Sequence, residues 1–309
     1  MNNDKRAVVA VSGGMDSTAL LLRLIAQGYA VTGLSYDYGQ KHLLELERLR
    51  QNLDYFDVMS VRNDLPNLKV VHHVIALRAD GLSLGSVLHS ALCTDGWQPP
   101  EGHYEADNMK ETVVPNRNAI FAAIAYAVAL SIAEREGREE VKLALGVHSG
   151  DHAIYPDCRP EFYEQLAQVF YVGNWGGDKV MFEMPYLDDD KETILKGALA
   201  DCDRLSLDFD TVFRNTNTSY SPDSKGRASG RTGSDVERIL AFHALGRQDP
   251  VEYVDGWPKA LAHALALPAP ESDSCVRVDS NQQVQGHTWE TLDDGSRLCF
   301  DCDARRPAE

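Results

Sequence analysis

A short apolar run, Ala7-Val8-Val9-Ala10-Val11, leads directly into Ser12-Gly13-Gly14-Met15-Asp16-Ser17-Thr18. A buried strand that opens through Ser-Gly-Gly into a helix is suited to holding phosphate. The two glycines let the backbone approach an anion, and Ser12, Ser17 and Thr18 add hydroxyl donors. The helix start adds its positive end. No lysine stands in the loop, so it is not the GxxxxGK[ST] cradle of common nucleotide hydrolases. A tight strand-to-helix connection without a ligand is the plainer alternative.

Other residues qualify singly. Asp37, in Asp37-Tyr38-Gly39-Gln40, follows a second apolar run and either faces a ligand or caps a turn. Arg117, in Pro115-Asn116-Arg117-Asn118, opens a long apolar helix, where a cation is unfavourable unless it meets an anion. Asn116 tolerates the positive φ such a start can require. Lys191, in Asp189-Asp190-Lys191-Glu192, either neutralises phosphate charge or belongs to a solvated helix start. Cys158 has no base at a spacing that supports covalent catalysis.

The elements that must position these residues alternate. Strands are expected at 7–11, 30–36, 70–76, 141–147 and 180–184, with helices at 17–27, 42–52, 118–134, 160–172 and 191–201. This order predicts an α/β fold, a doubly wound parallel sheet with ligands at the carboxyl ends of its strands. We expect an α/β nucleotide-binding domain over 1–214, a helical C-terminal region over 215–265 and an appended tail over 266–309. Segment 77–114 has the composition of a lid or binding segment, and the Ser/Thr/Asn/Gly-rich segment 215–234 that of a mobile loop.

Composition narrows the class. Of 309 residues 43% are hydrophobic, enough for a sizeable core. No run approaches the ~20 apolar residues of a membrane span, and six scattered cysteines fit a reducing cytoplasm better than a disulfide framework. The 47 acidic residues against 30 basic ones give a net charge of −17, which opposes nucleic acid as a partner. Basic residues cluster only at Lys225/Arg227/Arg231 and Arg305-Arg306.

The SGGMDS loop resembles the pyrophosphate loop of ATP pyrophosphatases, which split ATP into AMP and pyrophosphate. Taken in order with Ser35–Leu46 (SYDYGQKHLLEL), VPNRN at 114–118 and GVHSGDHAIYPDCRPEF at 146–162, it resembles the 7-cyano-7-deazaguanine synthases over about residues 5–265. The resemblance implies an adenine nucleotide alpha hydrolase-like, Rossmann-like fold that uses ATP and Mg²⁺. It implies 7-carboxy-7-deazaguanine as the acid that is adenylated. Ser12, Gly13, Gly14, Met15, Asp16, Ser17 and Asp37 would bind the nucleotide, with Asp16, Arg117 and Lys191 as catalytic residues. Asp151, Tyr155, Asp157 and Arg159 would hold the deazaguanine, since a fixed carboxylate suits a guanine N–H edge and an arginine suits an acid group. A turn held by an Asp–Arg pair is the alternative at 155–159. His42 and Glu45 would begin the next helix beside the nucleotide.

One departure stands out. The family carries a structural zinc on four cysteines, and the matching positions here are Ser219, Ser229, Thr232 and Asp235. Hydroxyls do not hold zinc. In the tail, Cys299-x-x-Cys302 with Cys275 and His287 either forms a replacement zinc site or remains as unliganded thiols. The altered loop and the tail point to a changed nucleophile. The first expectation is therefore an AMP-forming ligase passing the acid to a nitrogen nucleophile as an amide. That nucleophile is ammonia or, as the resemblance to relatives in antiviral operons implies, a partner protein's N-terminal amine, in a homo-oligomer or hetero-complex. The alternatives are nitrile synthesis by a 7-cyano-7-deazaguanine synthase, a tRNA-modifying enzyme, and a non-catalytic nucleotide-binding module.

Overall fold

The computed structural model describes residues 5–40, 44–79, 82–83, 90, 92–93, 97–103, 107–151, 154–267 and short strands between 277 and 306. The chain divides into a unit of Met1–Leu267 and a unit of Pro268–Glu309. In the second unit, strands Trp289–Thr291, Arg297–Cys299 and Arg305–Arg306 form an antiparallel sheet. Cys275, His287, Cys302 and the Cys299 side chain lie outside the described residues, and with them the expected tail zinc site.

The first unit is built on five parallel strands: β1 (Arg6–Ala10), β2 (Ala30–Asp37), β3 (Val71–Ala76), β4 (Val141–Ala144) and β5 (Val180–Glu183). Their order across the sheet is β3-β2-β1-β4-β5. The chain winds outward from β1 to β3, then returns to place β4 beside β1. The carboxyl ends of β1 and β4 therefore flank a topological switch point, where the connections diverge and leave a crevice.

Both faces are covered. Val8 faces one side with Leu34 and Leu143, while Ala7 and Val9 face the other, as a period of two requires. On the Val8 side lies α3 (Arg117–Glu136), through Ala125, Ala129 and Ala133. On the Val9 side lie α1 (Met15–Ala26), α2 (Leu44–Arg62) and, after α4 (Pro160–Val172), α5 (Lys191–Leu205). Then follow α6 (Phe209–Arg214), α7 (Gly233–Ala244) and α8 (Trp257–Ala266). Burying Leu20, Leu21, Leu22 and Ile25 of α1 completely contributes about 1.5–3 kcal/mol per side chain.

Several observed elements differ from the expected ones: β4 ends at Ala144, short of residue 147, and α5 runs on to Leu205. Helix α2 runs on to Arg62 instead of stopping near residue 52, because Phe56 and Ser60 continue its buried stripe. Helix α3 is apolar enough by length and composition to cross a membrane, yet Ala122, Ala125, Tyr126, Ala129, Ile132 and Ala133 are buried within the fold. Segment 215–234 is packed rather than loose: Thr216, Asn217, Ser219, Thr232 and Ser234 are all buried. Its hydroxyls and amides satisfy one another, so a polar composition here marks an internal hydrogen-bond network. Arg238 of α7 extends that network, with its guanidinium forked on Asp249 at 2.6 and 2.9 Å and donating to Thr216 and Thr218 at 2.7 and 3.1 Å.

Candidate active site

The crevice at the switch point is a cavity of about 290 Å³. Ser12, Gly14, Met15, Asp16 and Ser17 after β1 form one wall, and Gly146, Val147, His148 and Asp151 after β4 form another. The Ser12–Ser17 turn is held by its own hydroxyls. Ser17 Oγ accepts from Ser12 N at 3.2 Å, and Ser12 Oγ accepts from Gly14 N at 3.1 Å. Gly13 does not line the cavity. It sits at φ +93°, and an added Cβ would fall 2.0 Å from the Glu45 carbonyl oxygen, so only glycine lets the loop lie against α2. Helix α1 begins at Gly14 with no side-chain cap. Its first-turn N–H groups and its dipole thus favour an anion.

Lys191 opens α5 and is 5% exposed, so it is no solvated helix start. Its Nζ stands 3.3 Å from Asp16 Oδ2 and 2.8 Å from Glu237 Oε2. Burial alone would lower the Lys191 pKa, but Asp16, Glu237 and Asp151 hold it above the usual lysine value. Burial would likewise raise Asp16, and Lys191 and His148 bring it below its usual value instead. Both groups are therefore charged at neutral pH. Asp16 Oδ1 remains buried without a hydrogen-bond partner. One carboxylate oxygen without a hydrogen bond, beside an uncapped helix start, is a donor that suits a Mg²⁺ ion. Among the described residues no cluster of three or more His, Cys, Asp or Glu side chains is placed to hold a metal.

Arg117 enters from the N-terminus of α3, where Asn116 takes the left-handed conformation at φ +58°. Burial would lower the Arg117 pKa, while Tyr38, Tyr155, Tyr220 and Cys158 around it hold the pKa well above the usual value. It makes no ion bridge to a carboxylate among the described residues, although Glu45, which lines the same cavity, is close enough to feel its charge. Tyr36 stacks on Phe121 at 4.0 Å between centroids and 4° between planes, and with Tyr38 and Tyr220 they give this end flat apolar surfaces. Flat apolar rings beside a buried cation are surfaces that suit a planar heterocycle carrying an acid group.

The expected substrate residues divide. Asp151 and Tyr155 line the cavity, but Asp157 and Arg159 do not. Asp157 Oδ2 accepts from Asn118 N at 3.2 Å and so satisfies an open N–H in the first turn of α3. Arg159 is the N-cap residue of α4. Asp37 is buried at the end of β2, outside the cavity lining. Burial pushes the Cys158 thiol well up, so it is no thiolate nucleophile.

Two contributors were not singled out as site residues from the sequence, His148 and Glu237, and a third, Glu45, was expected only as the start of a helix beside the nucleotide. His148 Nδ1 accepts from Gly150 N at 3.1 Å, which leaves the proton on Nε2, 3.9 Å from Asp16 Oδ2 and 3.7 Å from Asp151 Oδ1. Its signal lay inside the GVHSGD string. Glu237 carried none, because it reaches Lys191 from a helix 46 positions along. Glu45 lines the cavity, and burial, partly offset by Arg117, raises its pKa to about 7.

The altered zinc positions converge as a metal site would, around an oxygen. Asp235 Oδ2 accepts from Ser219 Oγ at 3.1 Å, Ser229 Oγ at 2.6 Å and Thr232 Oγ1 at 2.9 Å. The backbone N–H groups of Gly230, Arg231 and Thr232 also donate to it. One buried carboxylate thereby organises the loop, and Ser219 and Tyr220 of that loop line the cavity.

A family model described as "Queuosine biosynthesis protein QueC" matches residues 6–246, which contain every lining residue of this cavity. The chain belongs to the QueC family. It is 41% identical to 7-cyano-7-deazaguanine synthase 2 of Colwellia psychrerythraea over 81% of this chain and 99% of the relative. The corresponding synthase of Caldicellulosiruptor bescii is 38% identical over 80% of this chain and 97% of the relative. The solved NMN synthetase of Francisella tularensis aligns over 86% of this chain at 13% identity, with a TM-score of 0.35 too low to add to the assignment.

Two outcomes follow from the site. Replacing Asp235 by Asn removes the charged acceptor of a buried network and is expected to cost about 2–3 kcal/mol in urea unfolding; an unchanged midpoint would refute the role given to Asp235. Glu45 holds in the folded state a proton that the unfolded chain, at 4.5, gives up sooner. Its raised pKa thus leaves stability intact below about 4.5 and takes it away as pH climbs through about 7. Between those values the protein should lose on the order of 2–3 kcal/mol relative to Glu45→Gln, and parallel stability curves for the two proteins would contradict this.

Proposed function

We propose that the protein is an ATP-dependent, AMP-forming enzyme that activates the carboxylate of 7-carboxy-7-deazaguanine and carries it to the nitrile with ammonia, as the name of its relatives describes. The observation that supports this best is the joining, in one cavity, of an uncapped loop-to-helix anion site with the aromatic and Arg117 end. A free carboxylate is a poor electrophile, and AMP is a good leaving group. The acid oxygen attacks the α-phosphorus of ATP, the α–β bridging bond breaks, and pyrophosphate leaves. Ammonia then displaces AMP to give the amide, and a second activation removes the amide oxygen with AMP.

In this reading Ser12, Gly14 and Ser17 receive the departing phosphates, Gly13 sets the loop against α2, and Lys191 balances the charge that builds on pyrophosphate. Asp16 holds Mg²⁺, which when bound neutralises phosphate charge. Arg117 orients the acid, and Asp151 and Tyr155 border the heterocycle. Residues 1–214 supply the nucleotide-binding part, and 215–265 close the cavity. The buried Cys158 and Cys202 form no disulfide among the described residues, in keeping with the cytoplasmic setting proposed for the protein.

The lost cysteines were the ground for expecting a different nucleophile. Asp235 keeps the loop in place without them, so that ground gives no support for amide transfer to a partner protein over nitrile formation. The net charge of −17 continues to oppose tRNA modification. Incubation with ATP, Mg²⁺, 7-carboxy-7-deazaguanine and ammonia, read by mass spectrometry, is expected to yield the nitrile with AMP and pyrophosphate. Accumulation of the amide alone would contradict the nitrile reading and restore the amide one, and ADP formation would overturn both.

A further inference from the structure

The basic residues Lys225 and Arg227, isolated in an acidic sequence, take no part in the cavity described above. They line a second concavity of about 120 Å³ together with Arg48 of α2 and Arg214 of α6. Arg227 spends Nε and Nη2 on Asp223, at 2.8 and 2.7 Å. Arg48, Arg214 and Lys225 have no carboxylate partner among the described residues. Among the described residues Arg48 Nη1 donates only to the Gln51 amide oxygen at 3.3 Å, and its Nη2 lies beside Gly226, next to Lys225 and Arg227. Deeper in the wall stand the hydroxyls of Thr216 and Thr218, both fixed by Arg238.

Two carboxylates also line this pocket, and neither cancels the excess. Asp235 Oδ2 is engaged by the donors that order its loop, and Glu252 is exposed. Arg48, half-buried, and the exposed Arg214 and Lys225 thus make no ion bridge to a carboxylate among the described residues, although Arg214 is near enough to Asp208 to lower its pKa. Together they place positive charge around a small polar recess in a chain of net −17. Such a field persists only if repulsion among the cations is tolerated, and an anion removes that repulsion.

We propose that this pocket binds a small phosphate-class anion, inorganic phosphate or pyrophosphate, separately from the Ser12–Ser17 loop. Its size excludes a nucleotide. Its position gives the binding a consequence, because Asn217, Thr218 and Ser219 line both cavities. Asn217 N donates to the Gly13 carbonyl at 3.0 Å, so an anion that draws Arg48, Arg214 and Lys225 together braces the segment on which the catalytic loop rests. The inference does not depend on which acid the enzyme activates.

Calorimetry on the full chain tests it, with the first cavity filled by α,β-methylene ATP and inorganic phosphate or pyrophosphate as titrant. One equivalent should bind. In the double variant Arg48→Gln, Lys225→Gln the Kd should rise about tenfold or more, the loss expected for two charge-assisted contacts, while the affinity for the analogue stays within about twofold. Circular dichroism confirms that the variant is folded. The variant comparison decides the matter even without the analogue: an unchanged Kd assigns all phosphate binding to the catalytic loop and overturns the proposal. Absence of binding overturns it also. So does tight, variant-sensitive binding of single-stranded RNA without binding of the free anions, which would assign the pocket to a nucleic-acid backbone.

Discussion

The Lys191 ammonium, buried between Asp16 and Glu237, is the interaction on which the rest of the site depends. It joins the first turn of α1, the first residue of α5 and the middle of α7, which are far apart in sequence. A charge at 5% exposure persists only if carboxylates replace the lost water, and two do so here. In turn, Asp16 is held ionised with one oxygen left over, at the edge of a helix start that itself lacks a cap. Charge, dipole and open coordination are thus gathered at one point of the crevice between β1 and β4. Removing the lysine would leave two half-buried carboxylates facing each other without a cation, a larger loss than the pair's own net stabilisation.

The same economy governs the C-terminal wall. Where the family resemblance implies four cysteines around a metal, this chain has three hydroxyls around a carboxylate. A thiolate set needs a cation at its centre, whereas an Asp oxygen needs donors, and Ser219, Ser229, Thr232 and three backbone N–H groups supply them. The same carboxylate completes a capping box with Thr232 at the start of α7. That helix carries Glu237 to Lys191 and Arg238 to Thr216. The loop and the ion cluster are therefore parts of one support.

Much of this was legible in the residues. The run Ala7–Val11 and the SGGMDS turn foretold the strand and the uncapped helix start that opens onto the cavity, since a both-faces-buried strand followed by a glycine-rich turn leaves few alternatives. Arg117 at a helix start predicted an anion, and Asn116 its left-handed backbone. What stayed hidden depends on tertiary distance. Glu237 is an ordinary acidic residue until α7 packs beside α5. Asp157 read as a base-recognising carboxylate because its string matched, yet its geometry is that of a cap for α3. The polar segment 215–234 read as mobile because composition alone does not distinguish groups hydrogen-bonded to water from groups hydrogen-bonded to one another.

Acid-dependent exchange of labelled pyrophosphate into ATP probes the central claim most directly, because it isolates activation from whatever nucleophile follows. With 7-carboxy-7-deazaguanine and Mg²⁺ present and ammonia absent, label should enter ATP, and it should fall by about 10²-fold or more in Lys191→Met. Exchange that proceeds without the acid, or its absence under any condition, would contradict the assignment of this cavity to adenylate formation.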